Sequence, residues 1–192
     1  DPQGRPWLDV DGVHFMLPLR GAHQAANAML AIAAARACGV PLADAAAGMA
    51  TMAVPSMRGV WEEIGELVLI NDAYNANPAS MRAALDLLGR VGSGQQRVAI
   101  LGTMRELGAH SAWQHREVAA AALASGADLI VGVGDFAAAF RDVAPLDSRV
   151  LTTPDFDALW PLIVPRLQRN AIVLLKGSRG MRLERLVPTL TT

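Results

Sequence analysis

The sequence lacks a second cysteine, a clear excess of either charge, and an apolar run long enough to cross a bilayer. A single cysteine, Cys38, rules out an internal disulfide and fits a reducing compartment such as the cytoplasm. With 17 basic and 18 acidic residues the net charge is -1, which argues against nucleic acid or an anionic membrane as a partner. A transmembrane helix needs about 20 consecutive apolar residues, and no run reaches that length.

The sequence also gives no sign of a metal site. There is no cysteine pair, and His110 and His115 do not have the H-E-x-x-H spacing of zinc enzymes, so we predict no metal ligands in this chain. Hydrophobic residues make up 52% of the 192 residues, enough for a sizeable core. Since the chain starts at Asp1 without a signal-peptide pattern, we expect that it begins inside a longer protein.

The first part of the chain has its own pattern. It contains, in order, a predicted strand or strand pair within 10–19, a helix at 22–37 and a second helix at 42–51. An Asp11-Gly12 turn signal lies in the strand region, and Gly39 and Pro41 end the first helix. Proline and glycine then interrupt the apolar spacing of both helices and strands, which predicts a hinge at 55–60 after a first segment of 1–54.

From Trp61 onward, apolar runs alternate with helical stretches. The runs lie at 67–70, 98–101, 129–133, 150–151 and 172–175, and the helical stretches at 79–88, 111–125, 136–141, 156–167 and 181–190. This alternation predicts an α/β fold, a Rossmann-like, doubly wound and mostly parallel sheet with helices on both faces, over 61–192. Ser111 and Gln114 predict a capping box at the start of the helix at 111–125.

Polar loops follow three of the predicted strands, at 71–78, 102–108 and 176–180. Ligands of open α/β sheets bind outside the carboxyl ends of the strands, so we expect these loops to meet at one edge. Lys176 and Arg179 stand among glycines before a predicted helix, which favours an anion there, although a turn with solvated cations is an alternative. We expect Lys176 to be partly solvated. The loop at 176–180 does not have the spacing of a P-loop, G-x-x-x-x-G-K-[ST], because its lysine precedes the glycine.

Two further patterns are compatible with a nucleotide. Tyr74 could stack on a base and Asp72 could accept hydrogen bonds from ribose hydroxyls, while Pro78 and the neighbouring asparagines could equally build turns and cap a helix. His23 and Asn27 share one helix face and could contact an adenine edge, although such a pair is more often structural.

Four motifs in this order resemble those of the Mur ligases, most closely the members that add D-alanyl-D-alanine. Residues 71–81 resemble D-D-S-Y-N-A-N-P-x-S-M, residues 102–108 resemble G-D-M-x-E-L-G, residues 176–179 match K-G-S-R, and residues 21–28 resemble G-x-H-N-x-x-N-A. His115 falls where the family has a histidine. Asn71 and Thr103 replace aspartates of the family pattern.

The resemblance implies a three-domain ligase of the cytoplasm, a monomer, of which 1–54 would be the end of the central ATP-binding domain and 61–192 the last domain. Such enzymes use ATP and Mg²⁺ to join D-alanyl-D-alanine to UDP-N-acetylmuramoyl-tripeptide through an acyl phosphate, for peptidoglycan synthesis. The P-loop and the metal ligands would lie upstream of Asp1, so we expect this fragment to be inactive alone.

The resemblance also implies roles for individual residues. Nucleotide contacts are expected from His23, Asn27, Arg58, Asp72 and Tyr74, catalytic or dipeptide-seating roles from Lys176, Ser178 and Arg179, and substrate contacts from Asn75, Asn77 and Glu106. Two alternatives stay open. The chain could come from another Mur ligase or a folylpolyglutamate-synthase-like enzyme, or it could be a binding module for a nucleotide or peptide that does no chemistry.

Overall fold

A division between Pro55 and Ser56 separates the protein into two units in the computed structural model. The structure describes residues 1–190. The division falls within the region in which the sequence predicts a hinge. None of the helices in the described residues combines the length and the apolar character that a bilayer crossing would require.

The first unit, Asp1–Pro55, starts with a β-hairpin. Strands β1 (Trp7–Val10) and β2 (Val13–Met16) pair antiparallel. Asp11 and Gly12 between them both have positive φ, 48° and 82°, the geometry of the tight turns that suit the twist of a hairpin. The predicted Asp-Gly turn is therefore confirmed, but the strand pair lies at 7–16, since β1 begins before the range of 10–19 that the sequence predicted.

Two helices complete this unit with the predicted bounds, α1 (Ala22–Ala37) and α2 (Leu42–Thr51). Their apolar side chains and those of the hairpin form a small core: Val10, Phe15, Leu17, Ala28, Ile32, Ala45 and Ala46. Helix α1 buries only Ala28 and Ile32 among its 16 residues. Its alanine-rich sequence has high helix propensity, so local preference supports it in addition to packing.

The second unit, from Ser56, is built on a six-stranded sheet in the order β3-β4-β8-β5-β6-β7. The strands are β3 (Val60–Ile64), β4 (Leu67–Asp72), β5 (Arg97–Gly102), β6 (Leu129–Val133), β7 (Val150–Thr153) and β8 (Ile172–Lys176). All neighbours are parallel except β3 and β4. The predicted α/β fold with a mostly parallel sheet is confirmed, with β3 as an additional antiparallel edge strand.

Helices cover both faces of this sheet. They are α3 (Pro78–Arg90), α4 (Ser111–Ala124), α5 (Asp135–Val143), α6 (Leu159–Ile163) and α7 (Val187–Leu190). Alternate residues of a strand point to opposite faces. Leu101 therefore packs in one core cluster with side chains of α3 and α5, whereas Ile100 packs in the other with Leu159 and Leu186. Burial on both faces explains why the strands are continuous apolar runs.

Two predicted helices are shorter than expected. The helix predicted at 156–167 is only α6, followed by a 3₁₀ turn at Val164–Arg166. The helix predicted at 181–190 is two 3₁₀ turns, Arg179–Met181 and Leu183–Leu186, and then α7. Arg182 between these turns has φ 51° and ends the first one. The expectation that the 176–180 loop leads directly into an α-helix, whose N-terminus would attract an anion, is therefore wrong.

The predicted capping box of Ser111 and Gln114 is also wrong, because α4 has no side-chain cap. A capping box exists instead at α3. The Asn77 Oδ1 accepts a hydrogen bond from the Ser80 N–H at 2.8 Å, and the Ser80 Oγ accepts one from the Asn77 N–H at 3.1 Å. Pro78 occupies the first helical turn, where its missing N–H costs nothing.

Candidate functional site

The strand order brings the three polar loops together at one edge of the sheet. Strand β8 lies between β4 and β5 and is parallel to both. Lys176, the last residue of β8, is the register partner of Asp72 on β4 and of Leu101 on β5. The loops that follow these strands thus begin side by side. The predicted convergence is confirmed.

Lys176 is buried at this edge, with only 2% of its surface exposed. Its Nζ lies 2.6 Å from the Asp72 Oδ2 and donates a second hydrogen bond to the Asn75 carbonyl oxygen at 3.1 Å. The expectation of a partly solvated Lys176 is wrong. A buried ammonium requires such partners, and here they tie the loop after β4 to the end of β8.

Asp72 and Tyr74 present groups that a ligand can reach. The Asp72 side chain is 23% exposed, and within residues 1–190 its Oδ1 has no hydrogen-bond partner, so this oxygen can accept one. Tyr74 is 42% exposed. Its backbone N–H donates to the Met57 carbonyl at 3.1 Å, and the Arg58 guanidinium lies over its ring, 4.3 Å from the centroid. Three predicted nucleotide-binding residues, Arg58, Asp72 and Tyr74, are thereby brought together.

The two predicted substrate-binding asparagines are exposed, and each uses its side-chain oxygen within the loop. The Asn75 Oδ1 accepts from the Ala76 N–H at 2.8 Å, and Asn77 caps α3. An amide offers two N–H donors besides its oxygen, so either residue can still donate to a ligand. Their substrate contacts stay predictions.

Ser178 fastens the loop after β5 to the loop after β8. Its side chain is buried, its N–H donates to the Thr103 carbonyl at 3.1 Å, and its Oγ accepts from the Arg105 N–H at 2.9 Å. The Thr103 Oγ1 in turn accepts from the Asp135 N–H at 2.9 Å, at the start of α5. The threonine that replaces the family's aspartate thus caps a neighbouring helix.

A role for His115 could not be derived from its sequence position. The ring is buried, its Nε2 accepts from the Met104 N–H at 2.9 Å, and its Nδ1 lies 2.8 Å from the Ser111 carbonyl oxygen. Since a carbonyl oxygen can only accept, Nδ1 carries the proton and the imidazole is neutral. The edge of the ring meets Phe136 with centroids 4.8 Å apart. His115 thus holds the middle of the 102–108 loop.

The outer rim of the site carries exposed charges. The Nη1 of Arg179 donates a hydrogen bond to the Glu184 Oε1 at 2.9 Å. The same nitrogen lies 2.9 Å from the Met57 sulfur. Glu106 is exposed and has φ 65°, a left-handed conformation that costs a non-glycine residue about 1 kcal/mol or more. Arg105 beside it is exposed as well.

His23 and Asn27 belong to the first unit, where both are exposed on α1. The Asn27 Nδ2 donates to the Gln24 Oε1 at 3.2 Å. The His23 ring packs against Gly21, where a Cβ would clash with it, and Gly21 has φ 97°. Glycine is thus required there by both space and backbone. The predicted contact of His23 and Asn27 with adenine rests on the family resemblance.

A metal centre cannot be built from the described residues alone. Within 1–190 there is no group of three histidine, cysteine or acidic side chains placed to hold an ion. The Asp72 carboxylate, the obvious candidate, already faces the Lys176 ammonium. What the edge of the sheet does offer is a stacking surface, a carboxylate acceptor and several guanidinium groups, which suit an organic anion such as a nucleotide.

The chain is similar in sequence to known proteins. Residues 58–179 match the family described as Mur ligase, glutamate ligase domain. The UDP-N-acetylmuramoyl-tripeptide–D-alanyl-D-alanine ligase of Treponema pallidum (strain Nichols) is 38% identical over 191 residues, which is 98% of this chain and 39% of the relative. The chain thus spans about two fifths of that relative's length.

Solved structures have the same fold. MurF from Acinetobacter baumannii superimposes with a TM-score of 0.89 at 29% identity, over 99% of this chain and 42% of that one. The MurF ligase from Thermotoga maritima, solved in complex with ADP, has a TM-score of 0.78 at 18% identity, over 97% and 43% of the two chains. At 18% identity the second likeness concerns the fold alone.

Proposed function

Because this chain belongs to the Mur ligase family, we propose that it is the carboxyl-terminal part of an ATP-dependent ligase that joins D-alanyl-D-alanine to UDP-N-acetylmuramoyl-tripeptide for peptidoglycan synthesis. The observation that carries this proposal is the convergence of the loops after β4, β8 and β5, with the Lys176–Asp72 ion pair at its centre. These are the loops whose motifs resemble the family's. The chain's similarity to D-alanyl-D-alanine ligases over nearly its whole length supports the choice of substrate.

The same proposal assigns the parts of the chain. Residues 1–54 are the end of the central ATP-binding domain, 55–60 the hinge, and 61–192 the last domain of the ligase. The division between Pro55 and Ser56 and the start of the family match at residue 58 support these boundaries. We place the enzyme in the cytoplasm as a monomer.

The nucleotide lies, in this proposal, at the loop after β4. The Tyr74 ring is exposed enough to stack on a base, the Asp72 Oδ1 can accept from ribose hydroxyls, and Arg58 can turn from the ring toward phosphate. The adenine contacts of His23 and Asn27 stay predictions that rest on the family resemblance. A neighbour in fold, the MurF ligase from Thermotoga maritima, was solved in complex with ADP.

The proposed reaction assigns roles to the other candidate residues of the site. ATP transfers its terminal phosphoryl group to the tripeptide carboxylate, the amine of D-alanyl-D-alanine attacks the acyl carbon, and phosphate leaves. Buried Lys176 and Ser178 position the loops, whereas exposed Arg179, with Asn75, Asn77 and Glu106, can touch the substrates. Mg²⁺ offsets phosphoryl charge in such reactions. The described residues do not fit it by themselves, so its ligands belong to the rest of the protein.

An assay of the full-length protein tests the proposal. With ATP and UDP-N-acetylmuramoyl-tripeptide, we expect D-alanyl-D-alanine to be joined in an amide product seen by mass spectrometry, with release of one ADP and one phosphate. Exclusive use of a free amino acid such as glutamate would move the protein to another Mur or folylpolyglutamate-synthase-like ligase.

Calorimetry on the chain alone tests the remaining alternative. A fragment that lacks most phosphate contacts should bind ATP weakly or not measurably. A Kd near about 1 μM would instead favour a complete binding module that does no chemistry.

A further inference from the structure

Arg105, in the loop after β5, has no counter-ion among residues 1–190. Two neighbouring cations do have one, because Lys176 pairs with Asp72 and Arg179 with Glu184. The Arg105 guanidinium makes no ion pair and no hydrogen bond with any residue in 1–190, although its backbone N–H is bound. A guanidinium left without a partner beside two neutralised cations is available for an anion from outside the chain.

The backbone around Arg105 is fixed on both sides. The Ser178 Oγ accepts from the Arg105 N–H at 2.9 Å, and the preceding N–H, that of Met104, donates to His115 at 2.9 Å. Both acceptors are buried. The loop therefore presents Arg105 from a defined position and not from a freely moving tip.

The guanidinium itself rests against the backbone of Gly180. A Cβ built at Gly180 would clash with the Cζ and Nη1 of Arg105. The φ of Gly180 lies outside the positive range, so glycine is not needed there for backbone reasons. The absence of a side chain at Gly180 leaves room for the Arg105 head group.

We propose that Arg105 binds the terminal carboxylate of the amine-bearing substrate, the group of D-alanyl-D-alanine that does not react; this inference rests on the proposed function. The planar fork of a guanidinium matches the two oxygens of a carboxylate. Glu106, the next residue, is exposed and offers the opposite charge to the substrate's ammonium. Adjacent groups of opposite charge suit a zwitterion.

The position of Arg105 in the sheet favours the dipeptide over the nucleotide. The proposed nucleotide contacts Asp72 and Tyr74 follow β4, whereas Arg105 follows β5, and β8 lies between these strands. Two strand spacings separate the starts of the loops by roughly 9–10 Å. That separation lets the two substrates approach from neighbouring loops.

The experiment uses the full-length enzyme with D-alanyl-D-alanine and with its amide, D-alanyl-D-alaninamide, which lacks the carboxylate charge. We expect Arg105→Met to raise the KM for the dipeptide by about 10- to 100-fold, the range for loss of a charge-assisted hydrogen-bonded pair, and to leave the KM for ATP within about twofold. The preference of the wild type for the acid over the amide should disappear. Arg141→Met removes an exposed cation of α5 as the matched control and should change neither KM.

Gly180→Ala provides a second, independent variant. Its methyl group should displace the Arg105 head group without straining the backbone, and so raise the KM for the dipeptide in the wild-type background. In the Arg105→Met background the same change should have no further effect, since nothing remains to be displaced. Thermal unfolding of each variant checks that the fold is intact.

Four outcomes would count against the assignment. A raised KM for ATP with an unchanged KM for the dipeptide would place Arg105 at a phosphate. Equal losses for the acid and the amide would show that the carboxylate is not what Arg105 recognises. Additive effects of Gly180→Ala and Arg105→Met on the KM for the dipeptide would show that Gly180 does not act by leaving room for the Arg105 guanidinium. Failure of the wild type to ligate the dipeptide at all would refute the proposed function first, before any variant is compared, and the assignment with it.

Discussion

The Nζ of Lys176 and the Oδ2 of Asp72, 2.6 Å apart, join the last residues of two neighbouring parallel strands. The two residues are 104 positions apart in the sequence. Lys176 also donates to the Asn75 carbonyl, so one buried ammonium fixes both the end of β4 and the loop beyond it. The shape of the loop with Tyr74 therefore depends on a residue of another strand.

Replacement of Lys176 should destabilise the protein, because Asp72 would lose its counter-ion at a partly buried position. We expect Lys176→Met to lower the free energy of unfolding by about 2–4 kcal/mol, somewhat less than for a fully buried pair because Asp72 keeps some contact with water. Urea unfolding at pH 7 measures the change. The double variant Lys176→Met with Asp72→Asn should recover part of the loss. A single variant as stable as the wild type would mean that the pair is only a surface contact.

The neutral His115 should hold the Met104 amide in place. In His115→Ala this N–H loses its acceptor, and a buried donor left without a partner costs about 1–3 kcal/mol. We expect the Met104 amide to exchange with deuterium much faster, while amides in the middle of β5 stay protected. His115→Gln, which restores an acceptor oxygen, is the matched control and should recover part of the protection.

The ¹⁵N chemical shifts of the ring give an independent check. Nδ1 should be the protonated nitrogen at neutral pH, since it faces the Ser111 carbonyl. Protonation at Nε2 instead would contradict the acceptor role.

The sheet and the meeting of its loops could be predicted because both depend on local signals and a general rule. Strands such as 129–133 are continuous apolar runs, and parallel strands put their carboxyl ends at one edge. Strand β3 could not be predicted because it is an edge strand with Glu62 and Glu63 in its middle, so it has no continuous apolar run. It is held in the sheet by its antiparallel pairing with β4.

Other features depend on contacts that sequence spacing does not contain. Leu183, Leu186, Val187 and Leu190 have the spacing of one helix face, which is equally satisfied by a 3₁₀ turn followed by α7. The burial of Lys176 requires Asp72, and the packing of Arg105 requires Gly180, partners that lie on distant segments. The candidate residues were thus predictable from motifs. The sequence could not show which of them are exposed and able to touch a ligand and which are buried and position the loops.

The capping box at α3 should contribute measurable stability. We expect Asn77→Ala to cost about 1 kcal/mol, because the Ser80 N–H loses its acceptor. Gln114→Ala, at the position where the sequence also predicts a capping box, should be nearly neutral since α4 has no such cap. Chemical denaturation of both variants makes the comparison. Equal losses would show that the assignment of the cap to Asn77 is wrong.

Asp147 should make the stability of the second unit depend on acid pH. Hydrogen bonds from the Arg149 side chain at 2.7 and 3.1 Å and from its backbone N–H at 2.9 Å hold the pKa of the Asp147 carboxyl below its ordinary value of 3.8. Because the folded pKa is depressed, the stabilisation is fully present above the unfolded value and is lost as the pH falls through the folded one.

The stability gap between the wild type and Asp147→Asn should accordingly be constant from about pH 7 to 5 and shrink as the pH falls below about 4. Urea unfolding at each pH measures it. In an Arg149→Met background the same substitution should give a gap that changes less with pH, because the side-chain donors that depress the pKa are gone and only the backbone N–H of residue 149 remains. A gap that widens toward low pH would reverse the sign and refute the assignment, since it would require the folded protein to bind the proton more tightly than the unfolded chain.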